Sequence, residues 1–501
     1  VSPGGLTARL DDAFNPIVVK ELRQAVKGKF VTAILLLLLA IQLIAVGLYI
    51  ISGDDVATRY DSGRNAFMIL HGLLLGICLL FVPTYTAIRL ALERSDTNVD
   101  LLFITTIRPR SIIAGKIIAA VTVTILIFSA CMPFMVFTYW LRGIDLPSIF
   151  VSLALSFLVV VTAIHIATFI AAIPTSRVLK ILLGVLGVCF LPQLFVVTLS
   201  SSFAFLSYGI GSQLGTWVFW GPATIVLMIA LALIGVLFCL SVALITPISA
   251  NRAMPVRLFI SGMWLISGTI CAILSHIHRD NAYVGVWGIL SICLFFISYF
   301  VAVSERESLG QRVTRSIPAY GVRRFLAFFC FSGSASAIAW TFLMSVLTCG
   351  SVWIWKVLSP NKFNADFLGD ALVWIAGLGL YGLAYSLTAA LLRRRFLSKW
   401  LSSKHTAVVG IILMVVGCVA PFLFGYMLFF DSGFRSDDIG MWLVANPFAL
   451  DVDSWGGVYL TFAGIWAALV TVLNAPWLAD QIDNFHPPEI PAETVTAAAH
   501  G

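Results

Sequence analysis

The sequence predicts an all-α integral membrane protein of about twelve transmembrane helices, with an amphipathic interface helix ahead of the first and two six-helix pseudo-repeats. Three observations carry this expectation. The 501 residues are 60% hydrophobic and only 11% charged, whereas soluble domains carry about a quarter charged residues. Apolar runs of the length needed to cross a hydrocarbon layer, about 20 residues, recur along the whole chain. The few charged residues gather between those runs, and they sort by sign.

The first element is FNPIVVKELRQAVKGKF, residues 14–30, read as an interface helix over 15–28. Asn15 and Pro16 form a good N-cap and first-turn pair. Val18, Val19, Leu22, Ala25 and Val26 fall on one face, and Lys20, Arg23, Gln24 and Lys27 on the other. Such a helix lies in the plane of the interface with its cations at lipid phosphates. Its candidate membrane-interface residues are Lys20, Glu21, Arg23 and Lys27, although a plain topological anchor has the same pattern. Gly28 permits the bend into the first span. That span is too long for the apolar region of a signal peptide.

Spans are predicted at 30–51, 66–88, 112–141, 147–173, 178–200, 219–247, 258–275, 284–304, 325–349, 371–392, 405–429 and 457–477. The positive-inside rule tests the count, because one missed span would invert every later loop. With both termini inside, 24 of the 31 basic residues are cytoplasmic, while the 24 acidic residues divide equally. The net charge of +7 is therefore explained by membrane orientation and not by nucleic acid. The sequence places the chain in the cell's inner membrane as a multi-pass protein with cytoplasmic termini.

The loop pattern repeats. Glu93-Arg94 after the second span recurs as Glu305-Arg306 after the eighth, and FWGPATI before the sixth span is matched by VANPFAL before the twelfth. Two six-helix halves follow, 1–250 and 251–480, as in many transporters. The tail 481–501 is rich in Pro and Ala and reads as disordered.

The densest charge lies in ALERSDTNVDLLFITTIRPRSIIAGK, Ala91 to Lys116. Val99, Leu102, Phe103 and Ile107 share a helical face, Arg108-Pro109-Arg110 ends the segment, and Lys116 stands near the start of the third span. A short helix with an apolar and an ionic face is suited to a partner's groove; a merely solvated loop has little reason to carry DLLFI.

NPIVVKELRQ together with LERSDTNVDLLFITTIRPRSIIAGK resembles the permease subunit of type-2 ATP-binding-cassette (ABC) exporters. In that family an amphipathic interface helix precedes the first span and a coupling helix docks on the ATPase. The matching positions are Glu93, Arg94, Leu101, Leu102, Thr105, Arg110, Ile112, Gly115 and Lys116. The resemblance implies ATPase coupling through residues 93–116, with Glu93, Arg94, Asp100, Leu102, Phe103, Arg108, Arg110 and Lys116 as the site. It covers residues 14–120, is diffuse over spans 4–6 and is weaker in the second half. Family members commonly have six spans and pair, so twelve imply a fused permease or one working half with an accessory half. A homodimer or a second permease is a further partner of this kind, alongside membrane lipids. Stretches 201–218 and 430–456 would correspond to the family's short re-entrant helices.

No G-x-x-x-x-G-K-[ST] motif occurs in the sequence, so nucleotide phosphates are not cradled by that route. The resemblance implies that ATP and Mg belong to a separate ABC ATPase subunit and that this chain binds no cofactor. Nine cysteines are scattered singly, with no metal-ligand spacing. A secondary, ion-coupled transporter remains an alternative, with His71 and His165 as the titratable groups inside spans. A membrane-embedded lipid- or glycan-modifying enzyme is another, since Asp431, Asp437, Asp438, Asp451 and Asp453 share one outer loop. No Ser/His/Asp constellation supports hydrolysis. An amphiphile, drug, lipid-linked glycan or peptide is compatible as cargo.

Overall fold

The computed structural model describes residues 16–27, 29–51, 61–95, 108–174, 177–247, 249–359, 363–429, 443–450 and 455–487. The chain divides into two compact units, Val1–Pro247 and Ile248–Gly501. The first unit contains α1 (Pro16–Lys27), α2 (Lys29–Ile51), α3 (Ser62–Ser95), α4 (Pro109–Trp140), α5 (Leu146–Ala172), α6 (Arg177–Tyr208) and α7 (Trp217–Ile245). The second contains α8 (Ala253–His278), α9 (Ala282–Ala302), the single turn α10 (Gln311–Thr314), α11 (Gly321–Cys330), α12 (Ser334–Leu358), α13 (Ala365–Arg395), α14 (Thr406–Phe429) and α15 (Gly456–Asp483). Twelve helices, α2–α9 and α12–α15, are long and apolar enough to cross a membrane. No strand occurs among the described residues, and the protein is an all-α, multi-span membrane protein.

Helix starts follow local chemistry. Arg108 is extended and Pro109 opens α4, where a missing N–H costs nothing and the fixed φ already suits the helix. Asp145 caps α5 by accepting from Ser148 N at 3.4 Å, and also accepts from Gly211 N at 2.9 Å. One carboxylate thus holds the start of α5 to the turn that precedes α7.

In the first unit the core forms where α3 and α5 meet α4. Phe67, Leu70 and Leu74 of α3 are buried with Met135 of α4 and Ile149 and Ile164 of α5. Hydrocarbon lipid gives no hydrophobic reward for helix association, so close approach and interhelical hydrogen bonds matter more. Gly63 N donates to Arg142 O at 3.0 Å. A Cβ at Gly63 would lie 2.2 Å from that oxygen and 2.6 Å from Thr138 O.

The second unit centres on α9 and α13. Tyr299, Leu383, Ala384 and Leu387 are buried together with Ala467 and Val470 of α15. Gly382 again admits a close neighbour, since a Cβ there would sit 2.7 Å from the Tyr299 ring. The Tyr385 hydroxyl donates to Ala445 O at 2.7 Å, and the Tyr381 hydroxyl donates to Val444 O.

Helix pairings within one unit recur within the other. If α2–α7 are matched in order to α8, α9, α12, α13, α14 and α15, the pairs α3 with α5, α3 with α4, α5 with α6 and α5 with α7 all have counterparts. The interface helix takes part as well: α1 packs on α2 and α4, and α11 packs on α8 and α12, their matches. The two interface helices enter from different places in the chain, one before the first span of its unit and the other between the second and third.

Several boundaries differ from the sequence expectation. The ninth span starts at Ser334 and not at 325, because Gly321–Cys330 form the separate helix α11 and Gly333, at φ +157°, breaks the chain between them. Stretch 201–218 holds the end of α6 and a 3-10 turn at Ile210–Ser212, not a re-entrant helix. The last span runs on to Asp483, past the end expected at 477 and past the expected boundary of the second half at 480. Phe485 beyond it is buried among Val313, Ile317 and Phe331. Residues 481–487 therefore belong to the second unit and not to a tail, while 488–501 lie outside the described residues. Of 430–456, only 443–450 and the start of α15 are described.

Candidate coupling junction

The candidate site assembles where α1, the end of α3 and the start of α4 meet. Alone, a 12-residue helix such as α1 is marginal in water, so its position depends on what it packs against. Val18 and Ala25 are each 5% exposed. Glu21 shares their face at helical spacing, while Lys20, Arg23, Gln24 and Lys27 are exposed.

Lys116 is the centre of the junction. It stands two turns into α4 and is 4% exposed, with Nζ 2.8 Å from Glu21 Oε1 and 2.8 Å from Glu93 Oε2. One ammonium therefore joins the interface helix, the last turns of α3 and the first turns of α4. Lys20 adds a looser contact at 3.9 Å from Glu93 Oε1, on the exposed side. A second tie runs in parallel: Arg89 donates to Gln24 Oε1 at 2.6 Å and lies over the Tyr85 ring at 5.1 Å. Beside these groups a small cleft of about 50 Å³ is lined by Ile34, Val82, Tyr85, Arg89, Ala120 and Val123, among others. Its walls are apolar and its charged groups cluster at the junction.

Of the sequence-predicted site residues, Lys20, Glu21, Glu93 and Lys116 come together in this network. Arg108 and Arg110 are exposed at the start of α4, where a docking partner could reach them. Arg23 and Lys27 are exposed on α1 and form no ion pair among the described residues. Asp100, Leu102 and Phe103 lie outside the described residues, as does the side chain of Arg94. Lys116, expected among the docking residues, is buried behind α1 and α3. It can act on a partner only through the helices it joins. Arg89 and Gln24 are not among the sequence-predicted site residues, although Gln24 is read there on the polar face of the interface helix; a cation one turn before Glu93 is the available signal for Arg89.

The second unit builds an analogous tie from different residues. Arg257 of α8 is 4% exposed and its guanidinium grips both Glu305 carboxylate oxygens at 2.8 Å. It also donates to Phe329 O at 3.0 Å, Phe331 O at 2.7 Å and Ser336 Oγ at 2.7 Å. Glu305, the counterpart of Glu93 in the repeated Glu-Arg pair, accepts from Gly333 N at 2.8 Å as well. Arg393 of α13 pairs with Glu307. Arg394 donates to Asn474 and stacks 4.3 Å over Trp477, so two members of the Arg393–Arg395 run are held inside the unit.

The other candidates fall elsewhere. His71 Nε2 lies 2.6 Å from Ser156 Oγ, tying α3 to α5. His165 Nδ1 lies 2.8 Å from Val161 O of its own helix. The aspartates at 431, 437, 438, 451 and 453 lie outside the described residues, and no group of three His, Cys, Asp or Glu side chains that could hold a metal occurs among the described ones. Comparison with protein-family models, with curated proteins and with solved structures finds no match, so the junction's chemistry and the resemblance in its flanking residues are the grounds for a functional reading.

Proposed function

We propose that the chain is the membrane-spanning permease of an ATP-driven ABC exporter, receiving work from a separate ATPase subunit at the junction of α1, α3 and α4. The observation that carries the proposal is the buried Lys116 bridge to Glu21 and Glu93. The two carboxylates and the ammonium hold both ends of residues 94–115, the stretch that resembles a coupling helix, and they link those ends to α1. A push on that stretch is delivered to three helices at once. Such a push can shift an equilibrium between inward-open and outward-open states only if the partner binds the two states differently. Hydrolysis on the partner supplies that difference, with ATP and Mg bound there.

The site residues then have distinct roles. Arg108 and Arg110 are the exposed cations that meet the ATPase, Glu93 and Lys116 transmit, and α1 carries the motion to the membrane surface. In this reading the termini are cytoplasmic and the membrane is the cell's inner membrane. Copurification in mild detergent tests the proposal: the native chain retains an ATPase and the Arg108→Glu/Arg110→Glu variant loses it. Equal retention by both chains would refute the docking role.

A further inference from the structure

The helix α11 combines an inward face that is fully accounted for with an outward face that is not. Inward, Ala327 and Phe328 pack on the buried cluster of Val313, Ile317, Phe331 and Phe485, and the Phe328 and Phe485 rings meet edge to face at 5.3 Å. The C-terminal end is clasped by Arg257, which takes the Phe329 and Phe331 carbonyls and places a cation where the helix dipole is negative. Outward, Val322, Phe325, Leu326 and Phe329 recur at the spacing of one helical stripe. Three of them are strongly exposed, at 77%, 64% and 61% for Val322, Phe325 and Leu326.

Charge and position identify what covers this stripe. Arg312, Arg315, Arg323 and Arg324 precede or flank it, and no Asp or Glu occurs between Glu307 and Asp366. The helix packs on α8 and α12, two membrane-spanning helices, and its last carbonyls are held by Asn251 and Arg257 just before and within the first turns of α8, so it adjoins the end of that span. Tyr320, 75% exposed, stands at its N-terminus with Arg323 6.0 Å from its ring, an amphipathic pair of the kind that settles among lipid headgroups. An apolar stripe flanked by cations, held flat by a buried clasp, matches an interfacial helix. The packing of α11 on α8 and α12 also reproduces that of α1 on α2 and α4.

We propose that α11 is a second membrane-interface helix, inserting Val322, Phe325, Leu326 and Phe329 into the acyl–headgroup boundary of a bilayer containing anionic phospholipid. Arg323 and Arg324 hold the phosphates. This inference does not depend on the export function.

Photocrosslinking tests it with the full chain. p-Benzoylphenylalanine is placed at Phe325 in protein reconstituted in nanodiscs of phosphatidylcholine and phosphatidylglycerol, and adducts are identified by peptide mass. Lipid adducts are expected at a yield comparable to that from the same probe at Val346, an exposed position midway along α12. Reversing both cations (Arg323→Glu/Arg324→Glu) should cut the phosphatidylglycerol share of the adducts about fivefold or more. A second probe at Leu326 guards against local disruption by the first. Adducts to another copy of the chain or to another protein, or no lipid adduct at either position, would overturn the proposal, as would a phosphatidylglycerol share unchanged by the reversals.

Discussion

Replacing Lys116 with Met keeps the length and the apolar stem but removes the ammonium. Glu21, at 10% side-chain exposure, and Glu93, at 36%, then lose their shared cation, and Glu93 keeps only the looser, exposed contact with Lys20 at 3.9 Å. Removing one partner of a buried ion pair costs about 3–5 kcal/mol, and the partial exposure of Glu93 places this case near the lower end. A loss of about 3 kcal/mol raises the local opening equilibrium of α1 roughly 150-fold. Hydrogen exchange of the α1 amides in purified, detergent-solubilised protein reads that change directly. Adding Glu21→Gln to the Lys116→Met background removes the stranded carboxylate and should bring exchange back to within about tenfold of native, because the two positions are coupled. The exposed pair gives the control: Lys20, 60% exposed and 3.9 Å from Glu93, should cost less than about 0.5 kcal/mol on replacement by Met. If Lys116→Met leaves α1 exchange unchanged, or if Lys20→Met matches it, the buried bridge does not hold α1 and the reasoning fails.

Other perturbations have equally definite outcomes. Arg257→Met should speed trypsin cleavage after Arg323 and Arg324, because the clasp on the end of α11 is lost, and Arg257→Lys should rescue it only in part, since an ammonium lacks the planar fork. Gly63→Ala puts a methyl group against two backbone carbonyl oxygens and should destabilise the first unit by about 1–3 kcal/mol, read as a lowered unfolding midpoint in detergent. His71→Leu removes one buried interhelical hydrogen bond worth about 1 kcal/mol and should leave the proposed export intact; an export activity abolished with a normal fold would favour the ion-coupled alternative. A reporter fused after Ser359 should be extracytoplasmic, and a cytoplasmic signal there would break the proposed orientation.

The spans were legible because a bilayer demands long, nearly uncharged runs, and that demand is met locally. The interface helix α1 was legible for a similar reason, since its apolar and cationic residues alternate at helical period. The role of Glu21 was not. It looked like one more interfacial charge, and only folding shows that it points inward to a lysine 95 residues later. The helix α11 was hidden more thoroughly. FLAFFCF runs straight into the apolar ninth span, so periodicity sees one helix where there are two. The break at Phe331–Gly333 is supported by Arg257 and Glu305, which take up backbone groups that would otherwise be unsatisfied. A lone arginine near the start of an apolar run carries no mark of that duty.

The bridge between Glu93 and Lys116 also governs how the two helices that carry them can move. Those residues stand where α3 ends and α4 begins, and the shared ammonium staples the two helices together there. Two helices tied only through the chain can part under a force on either one; stapled ones move together, and bring α1 with them. The same staple makes the number of residues between the two helices negotiable, because closure entropy grows only slowly with added residues once the ends are fixed. Residues added or removed there leave α1, α3 and α4 undisturbed, provided the lysine and its two carboxylates stay in place.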